Sequence, residues 1–271
     1  MNDFLFNSPL SLHHLTALEA SPVELVQIAA RVGCTHVSLF TNVPQRARHI
    51  YPCVNRIDIP AVAAALSAAG VQLHNLEVFP LDRPGELEGF EEGLEIGSML
   101  GATRATAHIH ATNPDQAVSL FSAFALYAAS FGIVAGLEFN AFSAVKDVAT
   151  AAAIVRAAGA GSLVLDTLHL MRSGGGLADV AEVADLVGYC QLSDGPELLG
   201  NAERWHEAIS ERALPGESAF PLVALVQQLD CETMMEIEVP QDAARAAGAN
   251  AQERAARATI AAQRVLRQAR G

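Results

Sequence analysis

A chain of 271 residues, 51% of them hydrophobic, can bury one large core without disulfide or metal staples. Its net charge of −13 and its scattered arginines argue against a nucleic-acid or anionic-membrane surface. A single lysine, Lys146, leaves almost no candidate for a Schiff base, and Cys34, Cys53, Cys190 and Cys231 contain no CxxC pair that would mark a zinc knuckle or a redox centre.

The opening MNDFLFNSPLSL lacks the basic head and apolar stretch of a signal peptide. No apolar run approaches the roughly 18 residues of a membrane span. Four cysteines in so large a chain fit reduced thiols, so a cytoplasmic location is expected. LSLHHL then reads as a first strand. Ser21-Pro22-Val23-Glu24 follows as a helix start, with a capping serine, proline at the first helical position and glutamate three residues after the cap. From there one joint recurs: an Ala/Leu-rich helix, a glycine, and a β-like run. It precedes CTHVSLF, VQLHNLEVF, ATRATAHI, IVAGLEF, SLVLD and YCQLSD. Gly33, Gly70, Gly101, Gly132 and Gly188 read as the left-handed residues that end those helices. Asp58 and Pro60 open the second helix, TMMEIEV forms the last strand, and residues 249–267 form a closing helix. Two connections are long, 41–56 after the second strand and 194–221 after the seventh, and both fall on the side where strands end. Eight alternating β and α units across residues 1–271 predict one (β/α)8 TIM barrel. An open doubly wound sheet is the weaker alternative, because no GxGxxG follows the first strand.

Four of the apolar runs end in an oxygen donor: Glu138, Asp166, Gln191 and Glu238, spaced by 28, 25 and 47 residues. A buried carboxylate is costly unless paired. Parallel strands bring such groups to one face, and three carboxylates plus an amide suit one hard divalent ion, Mn²⁺ or Mg²⁺, better than a structural zinc. The opposing reading, four unrelated polar residues with local partners, is about three times weaker, since all four sit at strand ends. His169, three residues past Asp166, is placed in the following loop, where it would orient a substrate oxygen. Glu236 shares the face of Glu238 one layer deeper, paired with an arginine or histidine. His108 and His110 share a face and line the pocket wall. His14 either reaches the same cup or is a hydrogen-bonded core histidine. Arg212, in ERALPGES, either clamps a substrate oxygen or is a solvent arginine paired with Glu211.

Taken together, SLHHLTALEASPVELVQIAARVG, GLEFN, LVLDTLHLMRSGG, YCQLSDGP, ERALPGES and EIEVP resemble the xylose isomerase-like TIM-barrel superfamily, the sugar phosphate isomerase/epimerase type, over nearly the whole chain. The resemblance implies that Glu138 and Glu238 bind the metal and also carry protons. It implies Asp166 as a further ligand and His169 as a substrate-binding residue. Gln191 departs from the histidine of many sugar epimerases and is reminiscent of 3-dehydroshikimate dehydratases. The expected activity is a metal-dependent isomerase or epimerase of a small sugar-like hydroxy-ketone, with a lyase of that dehydratase type as the alternative. A non-catalytic ligand-binding barrel fits less well because both glutamates are present. An endonuclease IV-like nuclease fits less well because extra metal-binding histidines are missing. The expected partner is a small molecule, with no nucleic acid or membrane; a homo-oligomer stays open.

Overall fold

Eight parallel strands pair in chain order, and the last returns to the first. They are β1 (Leu10–His13), β2 (His36–Phe40), β3 (Gln72–Leu81), β4 (Arg104–Ile109), β5 (Val134–Glu138), β6 (Ser162–Asp166), β7 (Val187–Leu192) and β8 (Met234–Ile237). This computed structural model describes residues 9–271, so the opening residues 1–8 lie outside the described part. The predicted (β/α)8 barrel is the observed fold. No helix among the described residues is long and apolar enough to cross a membrane.

Strand alternation divides each run between two environments. In β6, Leu163 and Leu165 join the hydrophobic core under the outer helices, while Val164 and Asp166 do not face it. In β1, Leu10 and Leu12 pack outward and Ser11 and His13 turn inward. Barrel interiors are usually filled by branched apolar side chains. Here one interior layer is polar, and its members satisfy one another. Ser11 and Ser38 donate to Glu236, Ser11 at 2.8 Å, and Gln191 gives its amide to Glu236 at 3.3 Å. Asn75 donates to Glu77 at 2.8 Å and accepts from Thr106 at 3.1 Å, and Thr106 meets the Tyr189 hydroxyl at 2.5 Å. Left unpaired, each of these groups would cost on the order of 1–3 kcal/mol.

Local signals act as expected at the first helix, Pro22–Val32, where Ser21 and Glu24 form the reciprocal capping box. Gly33 closes it at φ 85°, a conformation L side chains rarely adopt. Gly188 is a correction. It is not a helix end but the second residue of β7, and a Cβ there would collide with the Ser162 hydroxyl across the sheet. A 3-10 turn, Ala184–Leu186, runs straight into that strand, and the left-handed cap of the preceding unit is Gly159 instead. His169 is also corrected. It sits in a short helix, Thr167–Arg172, whose N-cap is Asp166 itself. The connection 194–221 likewise contains a helix, Arg204–Ser210, and the closing helix runs Ala251–Arg270.

Candidate active site

The ends of the strands open onto a cavity of about 670 Å³ whose floor carries His13, Glu77, His108, Glu138, His169, Gln191, Arg212 and Glu238. Four successive strands supply the predicted set: Glu138 ends β5, Asp166 ends β6, Gln191 lies in β7, and Glu238 follows β8 by one residue. Asp166 pairs in register with Gln191, which places them at one level of the barrel. Glu138, Gln191 and Glu238 are on the cavity wall; Asp166 is fully buried and is not.

Glu138 lies between two histidines. His108 Nε2 donates to its Oε2 at 2.7 Å, and His169 Nε2 stands 3.4 Å from its Oε1. Burial pushes the Glu138 carboxyl up, but His108 and then His169 hold it below the usual glutamate range. Burial likewise opposes the charged form of His108, yet Glu138 raises it on balance, whereas His169 ends below the ordinary histidine value. Asp166 accepts three hydrogen bonds. Its Oδ1 caps the following helix through Leu168 N–H and His169 N–H, and its Oδ2 accepts from Arg212 Nη1 at 2.9 Å. Against burial, Arg212 keeps its carboxyl low. The other end of the guanidinium, Nη2, donates to Glu238 Oε1 at 3.0 Å. Burial nevertheless pushes Glu238 up to about 8, with Asp166 and Glu138 adding to it against Arg212 and His13.

Two oxygens on this floor are buried without a hydrogen-bond donor, Gln191 Oε1 and Glu238 Oε2. Such atoms are rare because they forfeit their hydration. They are hard donors of the kind that bind Mg²⁺, Mn²⁺ or Ca²⁺. Nearby, Glu138, Asp166 and His169 each offer a ligand atom, all within 4.8 Å of one another. Glu238 does not join that group among the described residues; Arg212 holds one of its oxygens. The chemistry of these donors suits a divalent cation, and Glu238 Oε2 and Gln191 Oε1 are the floor oxygens without a donor.

No protein-family model matches the sequence, and neither does any curated protein. The fold, however, superposes on solved structures. One is a xylose isomerase-like TIM barrel/4-hydroxyphenylpyruvate dioxygenase fusion protein (TM-score 0.80, 17% identity, 96% of this chain), of which the chain spans 43%. Another is the IolI protein with a bound zinc atom (TM-score 0.78, 16% identity, 95% of this chain and 98% of that one). A third is D-psicose 3-epimerase in the presence of D-fructose (TM-score 0.72, 14% identity, 97% and 100%). The chain has the xylose isomerase-like TIM-barrel fold.

Within this barrel, the remaining candidates fall in different places. Arg212 is buried, at 4% exposure, so it is not a solvent arginine paired with Glu211. His14 does not line the cavity. β1 ends at His13, the chain turns into a 3-10 helix, and His14 Nε2 donates to the Ala20 carbonyl at 2.8 Å in the core, where burial lowers its pKa to about 4. His13 takes the wall position instead, with Nδ1 accepting from Leu15 N–H and Nε2 lying 3.6 Å from Glu77. Glu236 is held by two serines and Gln191, with His13 and Glu77 close by.

Sequence reasoning missed the residues that fix the long connection 194–221. Asp194, in the QLSD run, accepts four backbone N–H groups: Gly195 and Phe220 at one oxygen, Gly216 and Ser218 at the other, all at 2.8–3.1 Å. That cradle sets the path of the segment beginning at Arg212. Arg172 and Glu207 form a buried bidentate pair at 2.6 and 2.5 Å, which fastens helix Arg204–Ser210 to the helix after β6. The only available signal was the charge of these residues inside otherwise apolar surroundings.

Proposed function

We propose that this protein is a divalent-metal-dependent isomerase or epimerase acting on a small sugar-like hydroxy-ketone. The observation that carries the reading is the pair of donor-less oxygens, Gln191 Oε1 and Glu238 Oε2, on a carboxylate-lined cavity floor. Glu138, Asp166, Gln191 and Glu238 would hold the cation, with Mn²⁺ or Mg²⁺ favoured by the all-oxygen set. The IolI structure with its zinc and D-psicose 3-epimerase support the reading by likeness of fold.

Bound there, a divalent ion supplies Lewis-acid polarisation of a carbonyl and its neighbouring hydroxyl. The chain's own residues do the rest. Glu138 and Glu238 flank the floor from the β5 and β8 sides, so one takes the carbon-bound proton and the other returns one. His108 and His169 orient Glu138, and His169 stands ready to hydrogen-bond a substrate oxygen. Arg212 holds Asp166 and Glu238 in place, and is itself fixed by donating from Nε to the Ala208 carbonyl. The lyase alternative shares the first step and differs in expelling water afterwards.

The test is incubation with Mn²⁺ and candidate keto-sugars or dehydroshikimate in deuterated water. Deuterium entering at the carbon next to the carbonyl supports proton transfer by the glutamates; a primary isotope effect on that hydrogen guards against internal return. Conversion of a true substrate with neither signal refutes it. An isomerised product favours the leading reading and a dehydrated one the lyase.

A further inference from the structure

The polar floor accounts for only part of the cavity. Above it the wall is apolar, formed chiefly by Phe40, Val43, Ile50, Tyr51, Phe142 and Trp205. These side chains come from different quarters of the barrel. Phe40 ends β2, and Val43, Ile50 and Tyr51 lie in the connection after it. Phe142 follows β5, and Trp205 is on the helix in the connection after β7. They form two edge-to-face pairs, Phe40 with Tyr51 at 5.2 Å and Phe142 with Trp205 at 4.8 Å. Ile50, Phe142 and Trp205 remain 51%, 40% and 54% exposed at the mouth. Large apolar groups gathered on the rim of a binding cavity mark a surface that a ligand covers.

A bare sugar on the floor would leave much of the cavity and its apolar wall uncovered. Even if each of a hexose's roughly twelve heavy atoms took a water's share of about 30 Å³, it would fill about 360 Å³. The cavity is about 670 Å³. A longer polyol would set hydroxyls against this wall and strip their water without offering partners. The two asparagines above the floor each spend half of the amide inside the protein: Asn42 donates to the Val78 carbonyl at 2.8 Å, and Asn140 Oδ1 accepts from Phe142 N–H at 3.0 Å. An aromatic ring, by contrast, finds faces and edges on both sides at the separations such rings prefer.

Resting on the proton-transfer reading for its polar end, we infer that the substrate is a hydroxy-ketone head carrying an aromatic substituent, with the head on the Glu138–Glu238 floor and the ring between the Phe40/Tyr51 and Phe142/Trp205 pairs. The matched probes are 1,3-dihydroxyacetone and 1-benzyloxy-3-hydroxyacetone, titrated calorimetrically into the full chain loaded with Mn²⁺. The benzyl compound should bind at least about tenfold tighter, the low end of what burying a phenyl-sized group gives. It should also change the fluorescence of Trp205, the only tryptophan of the chain. Trp205→Ala, or Phe142→Ala should the first variant fail to fold, should reduce the preference below about threefold. Equal or weaker binding of the benzyl compound, absence of its binding, or a preference untouched by a folded variant overturns the inference. Deuterium exchange on the same samples separates the two readings. Tight benzyl binding without exchange sinks only the reaction, and exchange of the plain ketone with no benzyl advantage sinks only the aromatic subsite.

Discussion

Arg212→Met removes a guanidinium that is 4% exposed and bridges two buried carboxylates at 2.9 and 3.0 Å. Removing one partner of a buried ion pair costs about 3–5 kcal/mol. Two pairs are lost, but the cost does not double. Glu238 is pushed up to about 8 even with Arg212 beside it, so at neutral pH it keeps its proton in the variant and Asp166 alone is left uncompensated. The expected loss is therefore about 3–5 kcal/mol, equivalent to a Tm drop of about 6–20 °C for a domain of this size. A cation bound by Asp166 and Glu238 would replace the missing charge. Differential scanning fluorimetry of wild type and variant, each in EDTA and in saturating Mn²⁺, measures this. In Mn²⁺ the gap between the two proteins should shrink by at least half. An equal deficit in both conditions would falsify the assignment of Asp166 and Glu238 as metal ligands, and so would a wild type indifferent to Mn²⁺.

Glu138→Gln and Glu238→Gln should each lower turnover at least about a hundredfold while leaving the far-ultraviolet spectrum unchanged, as glutamine keeps the shape and loses the proton carrier; near-normal steady-state rates would place the proton carriers elsewhere. Because Glu238 is raised to about 8, the free protein holds a proton there that a cation must displace. Mn²⁺ affinity, read by calorimetry, should thus rise roughly tenfold per pH unit from 6 towards 8 and then level off; a flat profile argues that Glu238 stays out of the site. Above about 6.5 the buried histidines His14 and His74 are neutral in both states, while Glu238 at about 8 and His13 at about 10 keep protons that the unfolded chain has lost, so the stability of the metal-free fold should fall as pH rises from about 6.5 to 8, and a rise in Tm there would contradict it. Asp194→Asn keeps one acceptor oxygen for four N–H groups, so urea unfolding should show a loss of about 2 kcal/mol or more, and kcat should fall because the Arg212 segment loosens.

The barrel was readable because its evidence is local and repeated. Ser21 and Glu24 cap a helix through contacts three residues apart, and apolar runs closed by glycines recur at unit length. The strand-end donors were readable for the same reason, since one polar residue in an apolar run needs only a periodicity argument. What failed depends on partners distant in sequence. Gly188 answers to Ser162 across the sheet, so no local turn rule identifies it. The end of the apolar run points to His14, but alternation along β1 sends His13 inward with Ser11, and the strand stops there, so His14 turns away into the 3-10 helix. Arg172 and Glu207 are 35 residues apart, and the four donors to Asp194 include groups up to 26 residues away. Neither of these last contacts has a spacing signature.

The charge arrangement of the floor explains how such a site can fold before any cation arrives. Five carboxylates, Glu77, Glu138, Asp166, Glu236 and Glu238, are buried around one end of the barrel. Left as bare ions they would repel one another and forfeit their hydration. Each instead has its own donors: Asn75 for Glu77, His108 for Glu138, Arg212 for Asp166 and Glu238, and serine hydroxyls with Gln191 for Glu236. The consequence reaches Gln191. Its amide nitrogen is spent on Glu236, which fixes its Oε1 beyond that contact, where it has no donor. A histidine at this position would offer one ring nitrogen to Glu236 and the other to a cation. Glutamine keeps the same division with an oxygen in place of a nitrogen. The polar layer inside the barrel thus acts on function as well as stability, because it orients the one neutral ligand of the proposed set.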